Sequence, residues 1–80
     1  MTHNAEEKIR GLIAKQFHIE PEKITLEANL KVDLEMDSTE LVELVVALEK
    51  EFEIEIEDGE ITVGQSVGDV VQLVRSKLKQ

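Results

Sequence analysis

The sequence contains no cysteine, tryptophan or tyrosine, and it has only two phenylalanines and one proline. Without cysteine, the chain cannot form a disulfide or a thiolate metal site. RNA-binding modules that stack bases need aromatic side chains, so the near absence of aromatics argues against that class. The hydrophobic core must therefore be aliphatic, built from leucine, isoleucine and valine.

Positive charge is also scarce, with nine lysines and arginines against eighteen aspartates and glutamates, which gives a net charge of −9. Nucleic-acid phosphates attract basic surfaces, so this charge argues against a nucleic-acid partner. The acidity is concentrated between Asp33 and Glu60, where twelve acidic residues and one basic residue give a net charge of −11. Such a surface steers basic partners towards the protein, although a solvated acidic surface without a partner fits the same charge pattern.

Long hydrophobic runs are missing as well. The longest unbroken apolar segment is Leu44 to Leu48, which is far too short to span a membrane. The first residues lack the basic and apolar segments of a signal peptide, so we expect a cytoplasmic protein. Because the chain has eighty residues and no linker rich in proline or glycine, we expect residues 1–80 to be one domain. We also expect a monomer.

The two ends of the sequence have apolar residues at helical spacing. The first predicted helix runs from Asn4 to Phe17, with Asn4 and Glu7 placed to form a capping box. The last predicted helix begins after Ser66, a good N-cap, with Asp69 three residues later. Its apolar face consists of Val67, Val70, Val71, Val74 and Leu78.

A helix in the middle of the chain is the clearest of the three. Asp37 followed by Glu40 is a capping signal at its start. Its predicted buried stripe consists of Leu41, Leu44, Val45, Leu48 and Phe52. Off that stripe lie two valines and two glutamates, namely Val42, Val46, Glu43 and Glu49. The valine pair between acidic residues fits a small partner-binding patch, although single exposed valines are ordinary.

The two connections between the helices differ in their signals. A long loop runs from His18 to Met36, with a short turn predicted at Pro21. Its predicted core anchors are Ile24, Leu26, Leu30, Val32 and Leu34. From Phe52 to Val63, alternating apolar residues and the pair Asp58-Gly59 are typical of a β-hairpin with a type I′ turn. Since an isolated two-stranded hairpin is marginal, we expect a loop with a short helical turn instead. The predicted fold is all-α, a small bundle of three main helices and one short helix.

Ser38 is the residue most suited to carry chemistry. It stands directly after the predicted cap Asp37, at the first position of the middle helix. A phosphoester at this position would meet free backbone N–H groups and the positive end of the helix dipole. The Asp-Ser pair by itself is common, and taken alone it favours a serine that is merely tolerated at a helix start.

The residues around Ser38 carry more information. Residues 33–52 read DLEMDSTELVELVVALEKEF, a run that closely resembles acyl carrier proteins. In that family an Asp-Leu pair leads into Asp-Ser, and a helix of the Val-Glu-Leu-Val type then runs to a Glu-Phe pair. The start of the last helix and the opening of the chain are also similar, so the resemblance covers essentially the whole sequence. Two positions depart from the family pattern: Thr39 stands where leucine is usual, and Glu35 stands where glycine is common.

The resemblance implies an acyl-carrier-like four-helix bundle and a carrier protein, not an enzyme. It implies that a phosphopantetheinyl transferase attaches phosphopantetheine to Ser38, beside Asp37. The thiol of that arm would hold acyl groups as thioesters, a role for which the cysteine-free chain has no group of its own. The partners implied are acyl-transferring and condensing enzymes of fatty-acid, lipid or specialised (polyketide-like) biosynthesis.

The resemblance also implies that the middle helix docks on basic patches of these enzymes. The acidic part of that docking surface falls on Asp37, Glu40, Glu43 and Glu49, and the apolar part on Val42 and Val46. The interior between the helices would admit an acyl chain.

Three other functions would draw on some of the same features of the sequence. A calcium loop starting at Asp33 fails, because its sixth position is Ser38 and its twelfth is Leu44, where glycine and glutamate are required. A serine hydrolase fails, because His3 and His18 are the only histidines and no nucleophile elbow is present. An unmodified acidic helical module that binds a basic protein explains the charge and the valines equally well, and it remains the alternative.

Overall fold

Helices are the only regular secondary structure in the part of the chain that the structure describes. The computed structural model describes residues 3–78, and the side chains of residues 5–78. Three α-helices occur in that range: α1 (His3–Phe17), α2 (Ser38–Phe52) and α3 (Val67–Leu78). A short 3₁₀ helix (Pro21–Lys23) follows α1. The all-α prediction is thus confirmed for the described residues, which form no strand beyond an isolated bridge between Asn29 and Ser66.

Local capping explains where α3 begins. The Asp69 N–H donates to Ser66 Oγ at 3.2 Å, and the Ser66 N–H donates to Asp69 Oδ2 at 3.1 Å. This reciprocal pair satisfies two backbone donors at the helix start, as the sequence predicts. The capping box predicted for α1 depends on the side chain of Asn4, which lies outside the described side chains.

One aliphatic core joins the three helices. Each helix contributes two fully buried residues four positions apart, so that both lie on the same face. These pairs are Ile9 and Ile13, Leu44 and Leu48, and Val70 and Val74. Burying an aliphatic side chain of this size stabilises the folded state by about 1.5–3 kcal/mol. The two phenylalanines, Phe17 and Phe52, only pack against the edge of this core.

The loop between α1 and α2 places some of its apolar residues differently from the sequence prediction. Three of the predicted anchors are buried, namely Ile24, Leu30 and Leu34. The other two predictions are wrong, since Leu26 is 41% exposed and Val32 is 75% exposed. Ala28 and Met36 are buried instead. The cause is a turn in which Asn29 Oδ1 accepts the N–H groups of residues 31 and 32, which leaves Val32 at the surface.

Backbone hydrogen bonds tie this loop to the segment before α3. The Leu30 N–H donates to the Gln65 carbonyl at 2.9 Å, and the Lys31 N–H donates to the Val63 carbonyl at 3.1 Å. The Gly68 N–H donates to the Leu26 carbonyl at 2.8 Å, and a Cβ at Gly68 would lie 3.0 Å from that same oxygen. A side chain at this position would crowd the Leu26 carbonyl, and glycine avoids this contact.

Residues 53–66 contain turns, and no hairpin or helix is present among them. The Glu60 N–H donates to the Glu57 carbonyl at 3.1 Å and closes a turn around residues 58 and 59. Gly59 has a φ of 90°, whereas Asp58 does not have a positive φ, so the turn is not of type I′. Ile56 and Ile61 are both buried, but no strand pairing joins their two segments. The short helix predicted between α2 and α3 is not confirmed.

Candidate functional site

The start of α2 is fixed by two reciprocal hydrogen bonds. The Glu40 N–H donates to Asp37 Oδ1 at 2.8 Å, and the Asp37 N–H donates to Glu40 Oε1 at 3.2 Å. Asp37 has extended backbone angles, and its carbonyl accepts the Leu41 N–H at 2.9 Å. The predicted cap is thus present as a capping box, which holds the first turn of α2 in place.

Ser38 is the first residue of α2, and its side chain is exposed to solvent. Within the described residues, neither its hydroxyl nor the backbone N–H groups of Ser38 and Thr39 have a hydrogen-bond partner. These two N–H groups lie at the positive end of the α2 dipole. A phosphate ester on Ser38 Oγ fits this position, because its oxygens can accept those hydrogen bonds.

The backbone before the cap has an unusual conformation. Glu35 has a φ of 56°, in the left-handed region that favours glycine. The next residue, Met36, is buried, and its N–H donates to the Leu30 carbonyl at 2.9 Å. A glycine would adopt this turn before Asp37 without steric cost, and Glu35 adopts it with a side chain attached.

The side chains predicted to form a docking surface do not all have the same surroundings. Val42 is 61% exposed and Val46 is 43% exposed, and Glu43 lies between them with no hydrogen bond or ion pair among the described residues. The carboxylates of Asp37 and Glu40 are bound to each other's backbone. The structure therefore brings the two valines and Glu43 together on the exposed side of α2.

Glu49 is the exception among the predicted docking residues. It is half-buried, and its Oε2 accepts a hydrogen bond from the Ile56 N–H at 2.9 Å. Its carbonyl also accepts the Ile54 N–H at 3.3 Å, where α2 ends with Glu53 in a left-handed conformation. No sequence pattern indicates this contact, because it depends on where the irregular loop after α2 runs.

An apolar groove lies between α2 and residues 56–61. Its volume is about 480 Å³, within the range typical of small-molecule sites. Its apolar lining consists of Leu41, Val42, Val45, Val46, Ile56 and Ile61. Leu41 is three residues after Ser38, about 4.5 Å further along the helix axis, so the groove begins one turn from the serine. Sequence reasoning did not assign Ile56 and Ile61 to the site, since their segment was ambiguous.

A larger groove of about 660 Å³ lies elsewhere, between α1 and the end of α2. Its lining includes Lys8, Lys15 and Glu51, so it is more polar than the groove beside Leu41. Glu51 is thirteen residues after Ser38, about 20 Å along the axis of α2. This groove is therefore remote from the serine.

Comparison with known proteins identifies the family. Residues 7–74 match the family model described as the phosphopantetheine attachment site. Over 72 residues the chain is 40% identical to an acyl carrier protein of Thermosynechococcus vestitus, covering 90% of this chain and 89% of that protein. It is 43% identical over 72 residues to an acyl carrier protein of Akkermansia muciniphila, covering 90% of each chain. The chain belongs to the acyl carrier protein family. The resemblance found in residues 33–52 is thereby confirmed.

Acyl carrier proteins are carriers and not enzymes, and their prosthetic group is a covalently attached phosphopantetheine. That group supplies a terminal thiol, which this cysteine-free chain lacks. The residues at the start of α2 fit the group, as the free N–H groups and the exposed hydroxyl indicate.

Two kinds of feature are absent from the residues that the structure describes. Residues 3–78 contain no group of three or more acidic or histidine side chains arranged to hold a metal ion. None of the helices in the described range combines the length and the apolar character needed to cross a bilayer.

Proposed function

We propose that Ser38 is the attachment residue and that the chain carries acyl groups as thioesters between biosynthetic enzymes. The observation that carries this proposal is the exposed hydroxyl of Ser38 beside two unbonded backbone N–H groups at a capped helix start. The capping box orients these groups without using the serine side chain. Ser38 is thus open to an enzyme and also placed to bind the phosphate that the enzyme adds.

Mass spectrometry tests the attachment residue. The protein is incubated with coenzyme A and a phosphopantetheinyl transferase, and the intact mass should rise by one phosphopantetheine. Ser38→Ala should abolish the increase, whereas Ser76→Ala on the exposed surface of α3 is the matched control and should accept the group. Since neither cap contact uses the Ser38 side chain, both variants should keep the same melting temperature. Modification of the Ser38→Ala variant would refute the assignment.

We further propose that Val42, Glu43 and Val46 form the centre of the docking surface for the transferase and for acyl-transferring and condensing enzymes. The charges of Asp37, Glu40 and Glu49 add to the negative potential of the same helix, although their carboxylates are engaged with the backbone. Basic patches on the partners would then be attracted to α2 at long range, and the two valines would supply the apolar contact.

Charge reversal at Glu43 tests the docking surface. Glu43→Lys should slow the transferase several-fold at low ionic strength and leave stability unchanged, since exposed charges contribute little to folding. Glu22→Lys on the exposed 3₁₀ helix is the control with the same charge change, and it should react like the wild type. Equal slowing by both variants would show that net charge alone matters, and not the surface on α2.

We propose that the groove beside Leu41 takes the acyl chain. Its apolar lining and its position one turn from Ser38 support this assignment. Loading the carrier with a medium-chain acyl group should shift the NMR signals of Ile56 and Ile61, while Leu12 in the remote groove should be unaffected. Shifts confined to the remote groove would contradict the assignment.

Four expectations from the sequence stay predictions. We propose that residues 1–80 act as one carrier domain, as a monomer, in the cytoplasm, and that a fourth short helix completes the bundle. Sedimentation tests the monomer and cell fractionation tests the location. Backbone chemical shifts of residues 53–65 test the fourth helix, because the described backbone of that segment has turns and no helix.

A further inference from the structure

The wall of the apolar groove opposite α2 is a segment without regular structure. Residues 56–61 provide this wall, and the described backbone there forms neither helix nor strand. Ile56 and Ile61 turn their side chains inward, and their burial in the core holds part of this wall in place. Polar contacts of the same segment add to this hold.

Two carboxylates make those contacts. On the inner side, Glu49 Oε2 accepts the Ile56 N–H at 2.9 Å and joins the wall directly to α2. On the outer side, Glu60 Oε1 accepts the Glu57 N–H at 2.8 Å and lies 2.9 Å from Lys77 Nζ of α3. Of the two, only the Glu49 contact connects the two sides of the groove.

We propose that Glu49 is a positioning residue of the groove, whose carboxylate holds the wall at Ile56 against α2 and so sets how well a bound acyl chain is shielded. This inference rests on the proposed carrier function and on the groove as the place of the acyl chain. It assigns Glu49 to the interior of the site, in contrast to Glu43, whose carboxylate has no partner among the described residues.

The chemistry of glutamine separates this role from a docking charge. In Glu49→Gln the amide oxygen can still accept the Ile56 N–H, but the negative charge is gone. In Glu49→Ala both the acceptor and the charge are gone. If Glu49 positions the wall, Glu49→Gln should keep the protection of the Ile56 N–H and the shielding of the acyl chain, and Glu49→Ala should lose both. If Glu49 serves only as a docking charge, the two variants should behave alike in these measurements. Glu43→Gln and Glu43→Ala on the same helix are the matched controls, because they remove a charge from α2 without removing a contact to Ile56.

The first measurement is amide hydrogen exchange in the protein before any group is attached. The Ile56 N–H should be protected in the wild type, in Glu49→Gln and in both Glu43 variants. It should exchange about threefold to tenfold faster in Glu49→Ala, which corresponds to the loss of one hydrogen bond. Melting curves accompany the measurement, and the protection of Leu44 in the core shows whether the alanine variant is folded. If the alanine variant is unfolded, the exchange of the Ile56 N–H in Glu49→Gln still tests the proposal. Loss of protection in that variant would overturn it.

The second measurement is the cleavage of the acyl thioester by hydroxylamine. Each variant is first loaded and checked by mass, so that a failure of the carrier function is seen separately as an absent mass increase. A medium-chain thioester should be cleaved faster on Glu49→Ala than on the wild type and on Glu49→Gln. An acetyl thioester, too short to enter the groove, should be cleaved at one rate on all of them. Equal rates for the medium-chain thioester on Glu49→Ala and the wild type would overturn the proposal and leave the carrier function intact.

Discussion

The side-chain amide of Asn29 donates a hydrogen bond to the carbonyl oxygen of Gly64 at 3.0 Å, across 35 positions of the sequence. The oxygen of the same amide accepts the N–H groups of Lys31 and Val32 at 3.0 and 2.8 Å. One side chain thus shapes the turn that exposes Val32 and joins the long loop to the segment before α3. That loop leads directly into Asp37 and Ser38, so Asn29 supports the site from a distance.

Two substitutions of Asn29 should lower the free energy of unfolding by different amounts. Asn29→Asp keeps an acceptor for the two N–H groups but loses the donor to Gly64, so we expect a loss of about 1 kcal/mol. Asn29→Ala loses all three side-chain hydrogen bonds and should cost about 2 kcal/mol or more. Urea denaturation measures both, with the exposed Lys31→Ala as a control that should change little. An Asn29→Asp variant as stable as the wild type would show that the contact to Gly64 contributes nothing.

The cap of α2 allows charge and hydrogen bonding to be separated at Asp37. Asparagine is as good an N-cap as aspartate, so Asp37→Asn should keep the stability of the wild type. Asp37→Ala should lose about 1 kcal/mol, because the Glu40 N–H is left without its acceptor. Thermal melts give both values. If Asp37→Asn is destabilised as much as Asp37→Ala, the stabilising contribution of Asp37 comes from its charge at the helix dipole and not from the cap.

The left-handed conformation of Glu35 predicts a stabilising substitution. Glycine reaches a φ of 56° without steric cost, so Glu35→Gly should raise the free energy of unfolding by about 0.5–1 kcal/mol. The same change at Glu43, inside α2 with an exposed side chain, should instead lower it by about 1 kcal/mol. Chemical denaturation of the two variants should therefore give changes of opposite sign in the free energy of unfolding. A loss of stability in Glu35→Gly would mean that the Glu35 side chain makes a favourable contact that exceeds the backbone strain.

The ion pair between Glu60 and Lys77 predicts a dependence of stability on pH. The Glu57 N–H, and after it Lys77, hold the pKa of the Glu60 carboxyl below its ordinary value of 4.5. A carboxyl with a lowered pKa stabilises the folded state fully above its ordinary pKa, and this contribution is lost as the pH falls through the lowered value. Glu60→Gln should therefore be less stable than the wild type at neutral pH, and the difference should shrink in acid below 4.5. A difference that stays constant into acid would contradict the assignment to ionised Glu60.

The contacts that the sequence predicted correctly at the site are local ones. The pairs Asp37–Glu40 and Ser66–Asp69 each lie within one helical turn, so the residue types and their spacing are enough to specify the caps. The position of Ser38 at the start of α2 follows from the same short segment. The periodicity of apolar residues likewise predicted the buried residues Leu44 and Leu48 of α2 and Val70 and Val74 of α3, whereas Leu78 at the end of α3 is exposed.

Only the tertiary structure decided the contacts that cross between segments. Val32 and Met36 have similar apolar character, yet the first is exposed and the second is buried, because the bonds of Asn29 determine how the long loop turns. The carboxylates of Glu43 and Glu49 are alike in sequence, yet only Glu49 meets the loop at Ile56. In an irregular segment, the residues that face the core do not recur at a regular spacing, so the sequence pattern cannot identify them. The course of such a segment is set by hydrogen bonds to distant parts of the chain, and these exist only once the helices have packed.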